Sequence, residues 1–480
     1  MLRTLFHHTR WLASLLSALL LVLSCATPPD RVAAVRPEDE PTPVEDVVPA
    51  PTEELREEDA YDAVIAALRD GDPHEARALL ETLGQPPEFA ELWLGYGHLL
   101  LSLGDVVGAR NVYAAVAEYS GPFETDALFV LALTSDDPDD AEAYLNAVLE
   151  VEPDHAGAAA ALGTMALAAR RIGEAEAFFE TALQTNPEHF ESLVGMSRIY
   201  ADRPPRRVAL EYLDRALELD PEAGFVHAER GRVLSILRRV DESVEAYQTA
   251  LALEPGSPWH RYDLGRVLQQ AGRHEEALEH LSEAIDLNDQ VFLFFFYRAN
   301  SLYALGLHAE ADADYAHVLS VEPGYRDAFA PYAATAFLTG DFARAARYFE
   351  RTFDELHRVP SFAMLTGIAL RQDGRRDASN RWFEQVRRLA GSAESLYARI
   401  AGEFLQPRND DLTMRRIQSE RDASVRARMS FYLGALYAML GRDALSGALL
   451  ESVREADIQG SIEYELAGWF LDSLGRGHAR

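Results

Sequence analysis

His274-Glu275-Glu276-Ala277-Leu278-Glu279-His280 is the stretch nearest to a zinc-hydrolase motif. Such a site needs its second histidine four residues after the first, one helical turn on, so that both imidazoles face one metal. Leu278 stands there instead, and the run reads as the opening of an amphipathic helix. Gly95-Tyr96-Gly97 lacks the third glycine and the preceding strand of a dinucleotide loop, so it reads as close helix packing. Asp136-Asp137-Pro138-Asp139-Asp140 offers carboxylates to Ca²⁺ without the spacing or glycine of an EF-hand loop. An aspartate before a proline is also how a helix starts, with the carboxylate capping free amides. Phe292-Leu293-Phe294-Phe295-Phe296-Tyr297 is far short of the roughly 20 residues that cross a bilayer, and reads as a helix serving core and groove. No catalytic constellation emerges, and no cofactor or metal is expected.

Composition narrows the chemistry further. All 45 basic residues are Arg, which removes the lysine of a phosphate-binding loop, a pyridoxal Schiff base or a kinase site. One Cys excludes an intrachain disulfide framework and thiolate zinc clusters. The net charge of −33 repels phosphate, so nucleic acid is not an expected partner. The charge is uneven: residues 340–454 hold 19 Arg against 15 acids, whereas residues 1–339 hold 24 against 58. Two readings stand, a general solubility or genomic bias and an Arg-rich segment facing an anionic partner. The second predicts salt-sensitive self-association, the acidic part of one copy meeting Arg371, Arg375, Arg376, Arg387, Arg388, Arg415 and Arg416 of another.

The N-terminus reads as an address. Arg3 and Arg10 precede an apolar run from Trp11 to Leu23, which fits a secretory signal. Val22-Leu23-Ser24-Cys25 resembles a bacterial lipobox, which implies acylation of Cys25 after cleavage and membrane anchoring by more than one chain. An ordinary cleaved signal and an uncleaved anchor are the other readings. Ala26 rather than Asp after the cysteine implies the outer membrane, by resemblance to enterobacterial sorting. Residues 26–54 carry seven Pro, many acids and almost no large apolar groups, and are expected to form a disordered tether. Extended, that tether reaches roughly 90 Å at ~3.1 Å per residue.

The remainder repeats. Pro153, Pro187, Pro221, Pro255 and Pro323 fall on a 34-residue lattice, with Asp289 at the vacant node. Small residues recur at 34-residue intervals in two further columns: Ala141, Ala175, Ala209, Ser243, Ala277, Ala311, Ala345 and Ser379, and Gly163, Ser197, Gly231, Gly265, Ala299, Ala333 and Gly367. Turn glycines precede most second helices, at 104, 272, 306, 340, 374 and 441. This pattern resembles the tetratricopeptide repeat (TPR), which implies an all-α, right-handed solenoid of about 10–12 helical hairpins. Small residues belong where helices approach closely, and Leu213, Tyr247, Leu281, Tyr315, Phe349 and Phe383 are expected to fill the apolar seam. Unit starts are expected near 57, 90, 122, 156, 190, 224, 258, 292, 326, 360, 394 and 427. The expected organisation is a signal peptide (1–24), lipidated Cys and linker (25–54), degenerate hairpins (55–155), a regular array (156–393), and degenerate hairpins with a capping helix (394–480).

In the TPR pattern, positions 2, 5, 9, 12 and 13 of each unit line a concave groove. The resemblance places there Arg198, Phe225, Arg232, Trp259, Tyr262, Arg266, Phe296, Asn300 and Tyr303. Guanidiniums beside aromatic faces suit an extended peptide with a free C-terminus or acidic side chains. The same arginines are equally able to pair with acids on neighbouring helices. Phe431-Tyr432-Leu433-Gly434, Tyr437 and Leu440-Gly441, with Glu463-Tyr464-Glu465-Leu466-Ala467 beyond, are similar to the C-terminal end of NlpI-type envelope lipoproteins. That family implies an adaptor that recruits a periplasmic protease and peptidoglycan hydrolases. The resulting expectation is a non-enzymatic scaffold of the bacterial envelope, lipid-anchored and facing the periplasm, with envelope proteins or peptides as partners. The alternative is an assembly or secretion factor of the outer membrane, similar to pilotins or barrel-assembly TPR lipoproteins.

Overall fold

The computed structural model describes residues 57–84, 89–119, 121–392, 395–407 and 411–477. The signal, Cys25 and the linker lie outside them. The described residues form 25 α-helices and one short 3₁₀ turn, and divide into two compact units at Leu237.

The first unit stacks five antiparallel hairpins and ends on a single helix. Its helices are α1 (Glu57–Asp70), α2 (Pro73–Leu83), α3 (Ala90–Ser102), α4 (Val106–Ala117), α5 (Glu124–Thr134) and α6 (Pro138–Val151). They continue as α7 (Ala156–Ala168), α8 (Ile172–Thr185), α9 (Phe190–Asp202), α10 (Arg207–Leu219) and α11 (Gly224–Ile236). The second unit opens on α12 (Val240–Leu253), followed by α13 (Pro258–Gln270), α14 (His274–Leu287), α15 (Phe292–Ala304) and α16 (His308–Val321). Then come α17 (Phe329–Leu338), α18 (Phe342–Glu355), α19 (Pro360–Gln372), α20 (Arg376–Leu389), α21 (Leu396–Leu405) and α22 (Leu412–Gln418). It closes with α23 (Ala423–Met439), α24 (Asp443–Arg454) and α25 (Ile462–Gly477). The all-α hairpin array is the fold that the 34-residue lattice predicts.

Several hairpins share one recurring contact. A small residue in the first helix faces a bulky one sixteen residues later in the second. A Cβ built on Gly163 would lie 2.7 Å from the ring of Phe179, and one on Gly367 2.7 Å from Phe383. Gly97 against Tyr113 and Gly265 against Leu281 repeat the geometry at 2.8 Å and 2.7 Å. Leu281, Tyr315, Phe349 and Phe383 are fully buried. Each such side chain contributes on the order of 2–3 kcal/mol by leaving water.

The turns are set by backbone sterics. Gly272 adopts φ 75°, and the amide of Arg273 then reaches back 2.9 Å to the Leu268 carbonyl, closing α13. Gly306, Gly340 and Gly374 do the same with φ of 76°, 90° and 76°. At the equivalent lattice positions Arg170 and Arg238 are forced to φ 58° and 61°, where a Cβ is unfavourable. Second helices end on an extended residue before the lattice proline, as Glu152, Asp220 and Glu254 show, because that residue is barred from the helical region.

The last helix packs on α24 and α23 and reaches α17 as well. Leu466, Ala467 and Phe470 of α25 join the buried core of the second unit together with Phe337, Met364, Ile368 and Leu433. Trp469 packs edge-on against Phe337 at 5.3 Å and Phe342 at 5.6 Å between ring centroids.

Candidate functional site

The residues expected in the groove fall in both units. In the first, Arg198 (α9) and Arg232 (α11) flank a carboxylate that their own pattern supplies, and Phe225 also stands on α11. Glu229 accepts from Arg198 Nε at 3.0 Å and from Arg232 Nε at 2.8 Å. Its side chain is only 17% exposed. Burial opposes its ionisation, but the guanidiniums of Arg232 and Arg198 prevail and hold its carboxyl below the ordinary range. Arg232 Nη1 also lies 3.9 Å from Asp202. Phe225 meets Phe190 edge-on at 5.9 Å.

In the second unit, Arg266 pairs with Asp263 at 3.2 Å, one turn earlier on α13. Trp259 is 45% exposed, an unusual position for an indole. Its ring stands edge-on to Tyr262 at 5.8 Å and to Phe294 at 5.2 Å, and Tyr262 meets Tyr297 at 5.3 Å. Burial raises the Tyr262 phenol well above its usual range, with Tyr297 adding to the shift. Phe296 is buried among Tyr297, Tyr315 and Tyr325, which leaves its ring to the core rather than to an open face. Asn300 accepts a 2.6 Å hydrogen bond from the Tyr315 hydroxyl. The Tyr303 hydroxyl is buried with no hydrogen-bond partner among the described residues. Burial, then Glu465 and Glu463 of α25, push that phenol far up.

The other chemical candidates resolve into structure. Asp137 Oδ1 caps α6 by accepting from the Asp139 amide at 2.9 Å, with Pro138 as the first helical residue. Asp136 pairs with Arg110 at 2.9 Å. His274 is the first residue of α14, and among the described residues no group of three or more His, Cys, Asp or Glu could hold a metal ion. No described helix is long and apolar enough to cross a membrane. Of the Arg-rich segment, Arg375, Arg376, Arg387 and Arg388 are exposed. Arg371 is half-buried instead, donating to Asn380 Oδ1 at 2.6 Å and to the Phe404 carbonyl at 3.3 Å.

Two determinants escaped the reading by repeat position. Glu229 and Asp263 both stand at position 6, three residues before the position-9 arginine. That places them on its helical face, so the Glu229-x-x-Arg232 and Asp263-x-x-Arg266 spacing carried the signal. The second determinant is the reach of α25, expected as a capping helix, to Tyr303 and Phe337, beyond its sequence neighbours.

Comparison with family models matches residues 61–124, 127–189 and 205–258 to one tetratricopeptide repeat model and residues 236–291 to another. The chain carries tetratricopeptide repeats. No curated protein matches it significantly. Among solved structures, a tetratricopeptide repeat protein from Parabacteroides merdae is 15% identical, covering 51% of this chain and 98% of its own, with a TM-score of 0.40. PilF of Pseudomonas aeruginosa is 19% identical, covering 42% and 90%, with a TM-score of 0.39. Yeast Tom70 is 16% identical, covering 76% and 92%, with a TM-score of 0.36. TPR positions 2, 5 and 9 of the unit starting at Pro258 are thus Trp259, Tyr262 and Arg266, side by side on the first helix of that repeat.

Proposed function

We propose that this TPR chain is a non-enzymatic scaffold of the bacterial cell envelope, recruiting envelope proteins or peptides through the first helices of its repeats. Anchoring through lipid on Cys25, at the outer membrane and facing the periplasm, belongs to the same reading and rests on the lipobox resemblance. Peptidoglycan-processing enzymes or a protease are the partner classes that the C-terminal resemblance suggests.

The observation that carries the reading is the ring ledge at Trp259. A 45% exposed indole supported by Tyr262 and Phe294 gives large contact area at little cost in side-chain order. Arg266 stands one turn beyond, and its pairing with Asp263 holds its guanidinium in place beside those rings.

The test is affinity capture from envelope extract with the wild-type chain and with Trp259→Ala. Because the indole is half exposed, the variant is expected to keep its helicity and lose captured proteins. Identical capture by both would remove the ledge as the recruiting surface. Cys25→Ser tests the anchor separately: the protein is expected to leave the membrane fraction, and retention there would refute lipidation.

A further inference from the structure

The second unit binds its own last helix as though it were a ligand. The buried face of α25 reads Glu463, Leu466, Ala467 and Phe470, with exposures of 7%, 0%, 0% and 1%. That is the i, i+3, i+4, i+7 spacing by which an amphipathic helix fills a groove. It packs on the preceding helix α24, and on first helices through Phe337 of α17 and Phe431 and Tyr432 of α23. Phe337 and Tyr303 are both position 12 in their repeats, a groove position of the TPR pattern.

Three features distinguish α25 from a hairpin helix. Besides its sequence neighbours α24 and α23 it reaches α17, eight helices back in the chain, whereas the hairpin helices pack mainly on near neighbours. It is joined by residues 455–461, mostly exposed and carrying Gly460 at φ 81°. Its polar fit is incomplete. Glu463 is served by the Tyr432 hydroxyl at 2.7 Å, Glu465 lies 3.9 Å from Arg454, and the nearby Tyr303 hydroxyl has no hydrogen-bond partner among the described residues. A cleft of about 460 Å³ opens at the start of the helix, lined in part by Phe362, Leu365 and Arg428.

We infer that this face of the second unit is a helix-binding surface whose resident α25 is exchangeable. Its partner is an amphipathic helix with a carboxylate, then apolar residues three and four positions on, then an aromatic at the seventh. This rests on the reading of first helices as the recruiting face, and adds the chemistry of the partner and its control. Binding in trans requires α25 to leave, and the short link makes the resident helix a strong competitor through its high effective concentration.

A protease site inserted after Asp457 in the full chain lets α25 be cut free after folding. The probe is a labelled peptide of residues 460–477. After cleavage the probe is expected to exchange into the array, and to bind the uncut chain at least about 10-fold more weakly. A Phe470→Ala probe is expected to lose about 30-fold or more in affinity, as a central aromatic anchor does. Helicity followed by circular dichroism accompanies each step. Exchange failing while the array stays folded, equal binding to cut and uncut chains, or loss of helicity when α25 departs would each overturn the proposal. Trp259→Ala is expected to leave the exchange unchanged, so failure of the ring ledge and failure of the helix surface are separable.

Discussion

Gly195→Ala tests the packing rule on which the array depends. A Cβ on Gly195 of α9 would stand 2.3, 2.5 and 2.7 Å from three ring atoms of Phe179. Ordinary contacts begin near 3.4 Å, so the methyl needs about 1 Å of room. The ring has no room to retreat, because its Cδ1–Cε1 edge already lies against Gly163, where a Cβ would be 2.7 Å away. Phe179 is 1% exposed, packed with Met196 and Ile199, so rotation outward is closed as well. Overpacking of this kind costs about 1–3 kcal/mol. The better helix propensity of Ala returns up to about 1 kcal/mol. With three ring atoms inside the limit, the upper part of the range applies, and a net loss of about 2 kcal/mol is expected. Denaturant unfolding of the soluble chain followed by circular dichroism measures it, with Phe179→Leu as the second arm of a double-mutant cycle. Once the ring is gone, Gly195→Ala is expected to cost nothing. Gly173 on α8 has open space around it, and Gly173→Ala is expected to gain about 0.5 kcal/mol. A Gly195→Ala midpoint at or above wild type, or an undiminished cost in the Phe179→Leu background, would refute the two-glycine clamp.

Two further perturbations follow from the same structure. Arg170→Gly and Arg238→Gly relieve φ values of 58° and 61° and are each expected to stabilise by about 0.5–1 kcal/mol, since the strain removed exceeds the added entropy of the unfolded chain; unchanged or lower thermal midpoints would contradict this. Glu229 has a folded-state pKa below its unfolded value, so its contribution is complete above about pH 4.3 and is lost as pH falls through the folded value. Glu229→Gln is expected to cost about 2–3 kcal/mol at pH 7 and to flatten the acid limb of stability against pH, whereas an unchanged acid limb would assign that limb to other carboxylates.

The hairpins were legible because their determinants are local and repeated. A proline, a small residue and a bulky residue recur every 34 positions, and each acts on the backbone or on one neighbouring helix. Arg170 and Arg238 stand where the lattice places glycine elsewhere, and the backbone takes a positive φ there regardless. The site was harder to read. Position number placed Phe296 in the groove, but its neighbours Tyr297, Tyr315 and Tyr325 enclose it. Those contacts depend on which of several aromatic rings wins the interior, a matter of volume that periodicity does not encode. The place of α25 was least legible. Gly468 and Leu474-Gly475 stand 34 residues after Gly434 and Leu440-Gly441, so periodicity sets α25 on α24 and α23, but its reach to α17 is not something a repeat of neighbouring units encodes.

Ion pairing and ligand recognition are not opposed roles for the arginines of the first unit. Glu229 takes the Nε hydrogen of both Arg198 and Arg232. A guanidinium held by Nε has its rotamer fixed while its terminal nitrogens remain for another acceptor, and those of Arg198 carry no hydrogen bond among the described residues. With Asp202 3.9 Å from Arg232 Nη1, the two cations face two carboxylates and the charges balance. An acidic ligand arriving there meets guanidiniums whose ordering entropy the fold has already met. The same logic applies to Arg266 and Asp263, where the charges cancel and the rings of Tyr262 and Trp259 must supply the attraction. The two units therefore offer different chemistries, paired arginines around Glu229 in the first and an exposed indole at Trp259 in the second, although both descend from one 34-residue pattern.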